Sequence, residues 1–125
     1  MLRALLIRRP WIDKILDGEK TWEIRGSRTA IRGTIALVPS GSGTVFGVCD
    51  LVDCIGPLTE EIFRKNTKKA GMRSDQATLG YYRNTYAWKV TNAKWLRKPV
   101  AYKHPYGSAD PAKPVAWLAP VWTGR

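Results

Sequence analysis

Short runs of strand-type residues recur along this chain, with only two short helical stretches between them, and that pattern limits what it can fold into. Leu2 to Ile7 is rich in Leu and Ile and reads as a strand. Pro10 suits the first turn of a helix, where its missing N–H costs nothing. Trp11, Ile12, Ile15 and Leu16 then recur at helical spacing, and Gly18 is a natural stop. Lys20 to Arg25 alternates as a strand does. Gly26 and Gly33 bracket a polar loop, Thr34 to Val38 is another strand, and PSGSG is a turn. Thr44 to Ile55, TVFGVCDLVDCI, is a longer apolar run with Gly47 as a bulge or close-approach point. Thr59 followed by Glu60 and Glu61 favours a helix start. With Ile62 nearly its only apolar side chain, that helix over 59–70 is expected to be short or loosely docked. Residues 66–80 read as a mobile basic loop, Tyr81 to Leu96 as two strand pieces, TYAWKV and AKWL, and VAWL in the Pro-rich tail as the last strand. The expected fold is α+β, a small mixed β-barrel with short flanking helices.

The 125 residues fit one domain, 1–125. A chain of this size buries roughly 65% of its unfolded surface, enough for a core without staples. No run of about 20 apolar residues is present, so no membrane span is expected. The N-terminus MLRALLIRRPW is too short and too charged for a signal peptide. Cys49 and Cys54 would point to opposite faces of one strand, which argues against a disulfide between them and for a reducing, cytoplasmic compartment. A monomer is the expectation.

Charge sets the choice of partner. The net charge is +11, and residues 64–103 carry eleven Lys/Arg against one acid, Asp75. A field this one-sided attracts polyanions, although a solubility device is the bland alternative. Arg64, Lys65, Lys68, Lys69 and Arg73 are the candidate nucleic-acid contacts.

Several chemistries are excluded. One histidine, His104, makes a Ser-His-Asp or Cys-His triad a poor fit. GSG at 41–43 lacks the Lys-Ser/Thr of a phosphate loop. No cluster has metal-ligand spacing, so neither metal nor other cofactor is expected. What remains is GEKTWEIRG, residues 18–26. Trp22 and Ile24 share one strand face, while Thr21, Glu23 and Arg25 share the other. If the second face lined a cleft, Glu23 would accept from a base's exocyclic amine and Arg25 would take a phosphate or carbonyl. Lys20, at the strand's entry, can turn into the same cleft and act as acid or base once burial lowers its pKa. The competing reading is a solvated face whose ion pair is worth under ~1 kcal/mol. Arg9 and Trp11, at a strand-to-helix corner, and Tyr102, Lys103 and His104, in the tail, are further candidate ligand contacts.

Taken together, IRRPWIDKILDGEKTWEIRG, GTIALVPSGSG, VFGVCDLVDC, YAWKV, PVAYKHP and VAWL resemble, in that order, the ASCH domain family of the PUA-like superfamily. The Arg-x-Pro-Trp corner followed by Gly-Glu-Lys-Thr-x-Glu-x-Arg carries most of the resemblance. It implies a small PUA-like barrel whose cleft, lined by Lys20 to Arg25, holds RNA or a nucleotide-like ligand. It also implies varied activities, since members include RNA-binding modules, hydrolases of acetylated cytidine nucleosides and a ribonuclease-like protein. In the amidohydrolase group the motif reads Lys-Thr-x-Thr-x-Arg, and the Lys and second Thr do the chemistry with a Glu further on. By resemblance the Lys is Lys20 and the Arg is Arg25, but Glu23 stands where the nucleophilic Thr would be. Thr21 is one step off, and the downstream Glu has no clear match beyond Asp75 in the corresponding loop. Catalysis, if present, would fall to a Lys20–Glu23 pair activating a water. The readings left open are an RNA-binding module, a ribonuclease, an acylcytidine amidohydrolase, and a partner-binding protein without chemistry.

Overall fold

A computed structural model describes residues 3–73, 79–101 and 115–117. The first strand, β1 (Arg3–Ile7), is apolar on both faces because it lies inside the sheet. Helix α1 (Trp11–Leu16) buries Ile12, Ile15 and Leu16, and the chain leaves it through Asp17 and Gly18, whose φ of 83° favours glycine. Four strands follow in chain order: β2 (Trp22–Arg25), β3 (Gly33–Pro39), β4 (Thr44–Ile55) and, beyond helix α2 (Glu60–Lys65), β5 (Tyr86–Ala101). A short β6 (Val115–Trp117) completes a six-stranded sheet in the order β2-β5-β4-β3-β1-β6. The β1–β3 pairing is parallel and the others are antiparallel, so the sheet is mixed. It curls into a half-barrel: from β2, near one end, Arg25 reaches across to donate to the Leu6 carbonyl of β1 at 2.6 Å. The expected small α+β barrel is therefore what forms.

Alternation along β1 divides the core. Leu5 and Ile7 join α1, Ile35, Leu37, Cys49, Leu51, Trp88 and Val90 on one face. Ala4 and Leu6 join Ala36, Val38, Val45 and Leu96 on the other. Gly47 is the close-approach point foreseen for it, since a Cβ there would collide with the Leu16 side chain and the Lys94 carbonyl. Both cysteines are free.

Three expectations change. The two strand pieces after Tyr81 are one strand, β5, with the pairing against β4 shifting register around Asn92, whose φ is 57°. Such an irregularity lets a long strand bend without ending. Helix α2 is short, as expected, but it docks through Phe63, 3% exposed, while Ile62 faces out at 42%. The basic segment after it is not loose over its first half. The Lys69 carbonyl accepts from the amides of Thr21 and Trp22, both at 2.9 Å, and Ala70 is fully buried. Among the described residues no helix is long and apolar enough to cross a membrane.

Candidate functional site

The turn after α1 sets the site. The Lys20 amide bonds the Lys14 carbonyl at 3.0 Å, which aims the Lys20 side chain inward rather than along the strand. Its ammonium donates to the carbonyls of Trp22 and Ala70, both at 2.6 Å, and lies 3.7 Å from Glu23 Oε1. The side chain is 1% exposed. Gly71, at φ 70°, lets the 66–73 segment lie directly against it, because a Cβ there would sit 3.1 Å from Lys20.

Alternation on β2 does the rest. Trp22 buries against Leu58 and Ala87, with Ile24 packed beside them. Glu23 and Arg25 turn the other way, and Arg25 Nε donates to Glu23 Oε2 at 2.9 Å. The solvated-face reading fails here, because Glu23 is 8% and Arg25 15% exposed at the side chain. The result is a buried row of cation, carboxylate and cation. Removing one member of such a row leaves an uncompensated buried charge, which costs several kcal/mol.

That row floors a cavity of about 540 Å³, within the range of small-ligand sites. Trp11, Phe63, Tyr81 and Tyr82 supply aromatic surface and Arg8 a further guanidinium. Lys14 and Lys20 place their ammonium groups 5.1 and 5.3 Å from the Trp11 ring centroid. Tyr82 lies on the backbone at Gly26, where a Cβ would come within 2.5 Å of its ring, and it meets Tyr81 edge-on with centroids 4.9 Å apart.

The electrostatics follow from burial. Desolvation pulls the Lys20 ammonium below the usual lysine range, and the Glu23 carboxylate partly opposes that. Burial likewise raises the Tyr82 phenol, with Arg25 pulling against it. Glu23 spends one oxygen on Arg25 and turns the other toward Lys20, and each carboxylate oxygen has two acceptor positions. The floor can therefore accept from a ligand amine or N–H at Glu23 and donate to a carbonyl or anion at Arg25.

Of the sequence candidates, Lys20, Glu23, Arg25 and Trp11 come together at this cavity. Arg9 does not line it; its guanidinium pairs with Asp13 at 3.1 Å and stands over the Phe46 ring. Arg64 and Lys65 pair with Glu60 and Glu61 on the exposed face of α2. Lys68 is exposed, and Lys69 lies 5.5 Å from the Trp22 ring centroid on the outer side of the wall. Arg73 has an interaction of its own at the end of that segment. Tyr102, Lys103, His104 and Asp75 lie outside the described residues. Among the described residues no three His, Cys, Asp or Glu gather as a metal site.

Arg8, Phe63, Met72, Tyr81 and Tyr82 line the cavity without having been singled out. β1 ends at Ile7, so alternation does not choose between Arg8 and Arg9, whereas the adjacent tyrosines in GYYRN are a polar-context aromatic pair. Nothing local marks Phe63 or Met72, which arrive through tertiary packing.

A family model described as the ASCH domain matches residues 5–100. No curated protein matches the chain. Among solved structures, an ASCH protein from Zymomonas mobilis superposes with a TM-score of 0.72 at 15% identity, covering 94% of this chain and 87% of that one. A serine-to-alanine variant from the same organism gives 0.67 at 16%, covering 94% and 88%. A tyrosine-to-phenylalanine variant gives 0.68 at 14%, covering 94% and 90%. At such identities the likeness carries the fold and nothing finer.

Proposed function

The chain belongs to the ASCH domain family, and on that premise we propose that it binds RNA or a nucleotide-like ligand in the cavity floored by Lys20, Glu23 and Arg25. One observation carries the reading: a carboxylate flanked by two cations, buried beneath aromatic surface in a space of about 540 Å³. A nucleobase has a flat π-face and an edge of donors and acceptors. Trp11 and Tyr82 offer surfaces for the face. Glu23 offers an acceptor for an exocyclic amine, and Arg25 a forked donor for a carbonyl or phosphate. The net charge of +11 supports a polyanion over a neutral nucleoside as the natural ligand.

A second reading is hydrolysis, and one observation favours it. Burial pulls Lys20 toward its neutral form beside Glu23, the arrangement in which an amine can take a proton from water. A route through a threonine ester has no nucleophile at position 23, where Glu23 stands.

The test is a paired assay on wild type, Lys20→Ala and the isosteric Glu23→Gln, each incubated with acetylated cytidine and with mixed-sequence RNA and followed by chromatography. The expected result is RNA retention by wild type, lowered at least tenfold in Glu23→Gln. Deacylation or RNA cleavage lost in Lys20→Ala would establish the hydrolytic reading. Retention unchanged in a folded Glu23→Gln would rule out the cavity as the binding site.

A further inference from the structure

The main cavity has a neighbour, and the two share a wall. A second, more open cavity of about 480 Å³ lies over the turn between β3 and β4, and Arg8 and Ser40 line both. Arg8 is exposed, and its guanidinium makes no hydrogen bond or ion pair among the described residues. That separates it from Arg9, Arg25, Arg28, Arg32 and Arg64, each of which holds a carboxylate or carbonyl. Ser40 is held by its backbone amide on the Ile7 carbonyl at 3.0 Å, and its hydroxyl has no partner among the described residues. An unpaired guanidinium and an unpaired hydroxyl that line the same two cavities are a donor set suited to a phosphate.

What lies beyond that pair extends the argument. Phe46 lines the second cavity, with Arg9 over its ring at 5.3 Å from the centroid. Trp95 packs beside Phe46 with centroids 6.2 Å apart, is 44% exposed, and is held by its Nε1 donating to Asp17 at 2.8 Å. An oriented indole left this open beside a phenyl ring that carries a guanidinium over it is a platform on which a base can stack. The order across the surface is therefore the cavity over Glu23, the Arg8 and Ser40 donors, and an aromatic platform.

Resting on the nucleotide reading above, we propose that the protein takes a dinucleotide step of single-stranded RNA. One base enters the cavity over Glu23. The phosphate that follows sits on Arg8 and Ser40. The next base stacks on Phe46 and Trp95. A free nucleoside occupies only the first of these places, so the preferred ligand is an internal stretch of a strand.

The experiment is calorimetric titration of wild type, Arg8→Gln, Ser40→Ala and Phe46→Leu, with folding checked by circular dichroism. The probes are the four nucleosides, their 3′- and 5′-monophosphates, their dinucleoside monophosphates with adenosine, and an RNA decamer. Each variant is read by its own ratios. In wild type, adding the phosphate strengthens binding at least tenfold over the nucleoside, and adding the second nucleoside a further threefold or more. In Arg8→Gln the first ratio falls to near one. In Phe46→Leu only the second ratio falls. Equal affinity of wild type for nucleoside and monophosphate overturns the inference while leaving the cavity reading in place. So does a phosphate gain retained in Arg8→Gln, or decamer binding equal in wild type and Arg8→Gln. No binding of any probe by wild type removes the cavity reading and this inference with it.

Discussion

Glu23 is held between Arg25 at 2.9 Å and Lys20 at 3.7 Å, and Lys20 in turn is fixed by two main-chain carbonyls. The site's charges are thus set in place before any ligand arrives, which lowers the ordering cost of binding. The core has a titratable group of its own. Cys49 is buried beneath α1, and burial pushes its thiol from 9.0 up to about 12. A group whose pKa is higher when folded keeps its proton longer in the native state, so stability falls as pH rises from 9 toward 12. Wild type should lose about 2–3 kcal/mol more than Cys49→Ala between pH 9 and 11 in urea titrations. Tyr82, also raised by burial, adds a loss common to both proteins. Equal slopes for the two proteins would contradict a buried thiol. At this scale, Glu23 and Arg25 were legible because a strand's period is two. Lys20 was legible only as a residue outside the alternation; its turn inward depends on the Lys14 carbonyl and on the Ala70 carbonyl, 50 residues away in sequence.

Helix α1 sits on the sheet because β4 carries a glycine beneath it. With no Cβ at position 47, Leu16 reaches the β4 backbone and the Lys94 carbonyl closes in from β5. Gly47→Ala should therefore destabilise the protein by roughly 1–3 kcal/mol through overpacking, with the backbone carbonyl unable to yield as a side chain can. Thermal melts would measure it, and a melting temperature equal to wild type would mean that α1 is not seated as described. The bounds of β4 and the start of α2 could be read directly, the first from an unbroken apolar run and the second from the Thr59 cap, whose Oγ1 accepts from Ile62 N at 3.2 Å. The continuity of β5 could not. Asn92 reads as a turn residue, and only pairing with β4 on both sides of it, at Thr91 and Lys94, carries the strand through. For α2, weight on Ile62 alone points the wrong way, because Phe63 beside it is apolar too and the barrel decides which of the two is covered.

For the whole molecule, the excess of positive charge is a property of placement as much as number. Arg64 and Lys65 are answered locally by Glu60 and Glu61, with contacts of 2.8 and 2.9 Å. Lys68 and Lys69 have no carboxylate beside them among the described residues, and they stand on the outer side of a cavity wall. Replacing both with Glu should weaken RNA binding at least tenfold and flatten its salt dependence by about 0.7 log units per lost phosphate contact. The same change in Arg64 and Lys65 should do less. Filter binding across a salt series would measure both, and equal losses would mean that the charge acts only as a diffuse field. Composition alone pointed to a polyanion but could not say which cations face it, because pairing on a helix surface is settled by spacing of four residues and by the fold around it.

Three consecutive carbonyls, of Lys69, Ala70 and Gly71, hold the wall of the cavity to β2 and α1. All three are main-chain groups, present whatever side chain the residue bears. Gly71 is constrained by its left-handed backbone and Ala70 by its burial, but the outward-facing positions beside them are not. The seam is thus a part of the protein that can drift in sequence without coming apart. Mutation can rewrite the chemistry of the cavity's outer lip, residue by residue, while the floor beneath it stays in register. That is one physical route by which a lineage can keep a single scaffold and change what it recognises.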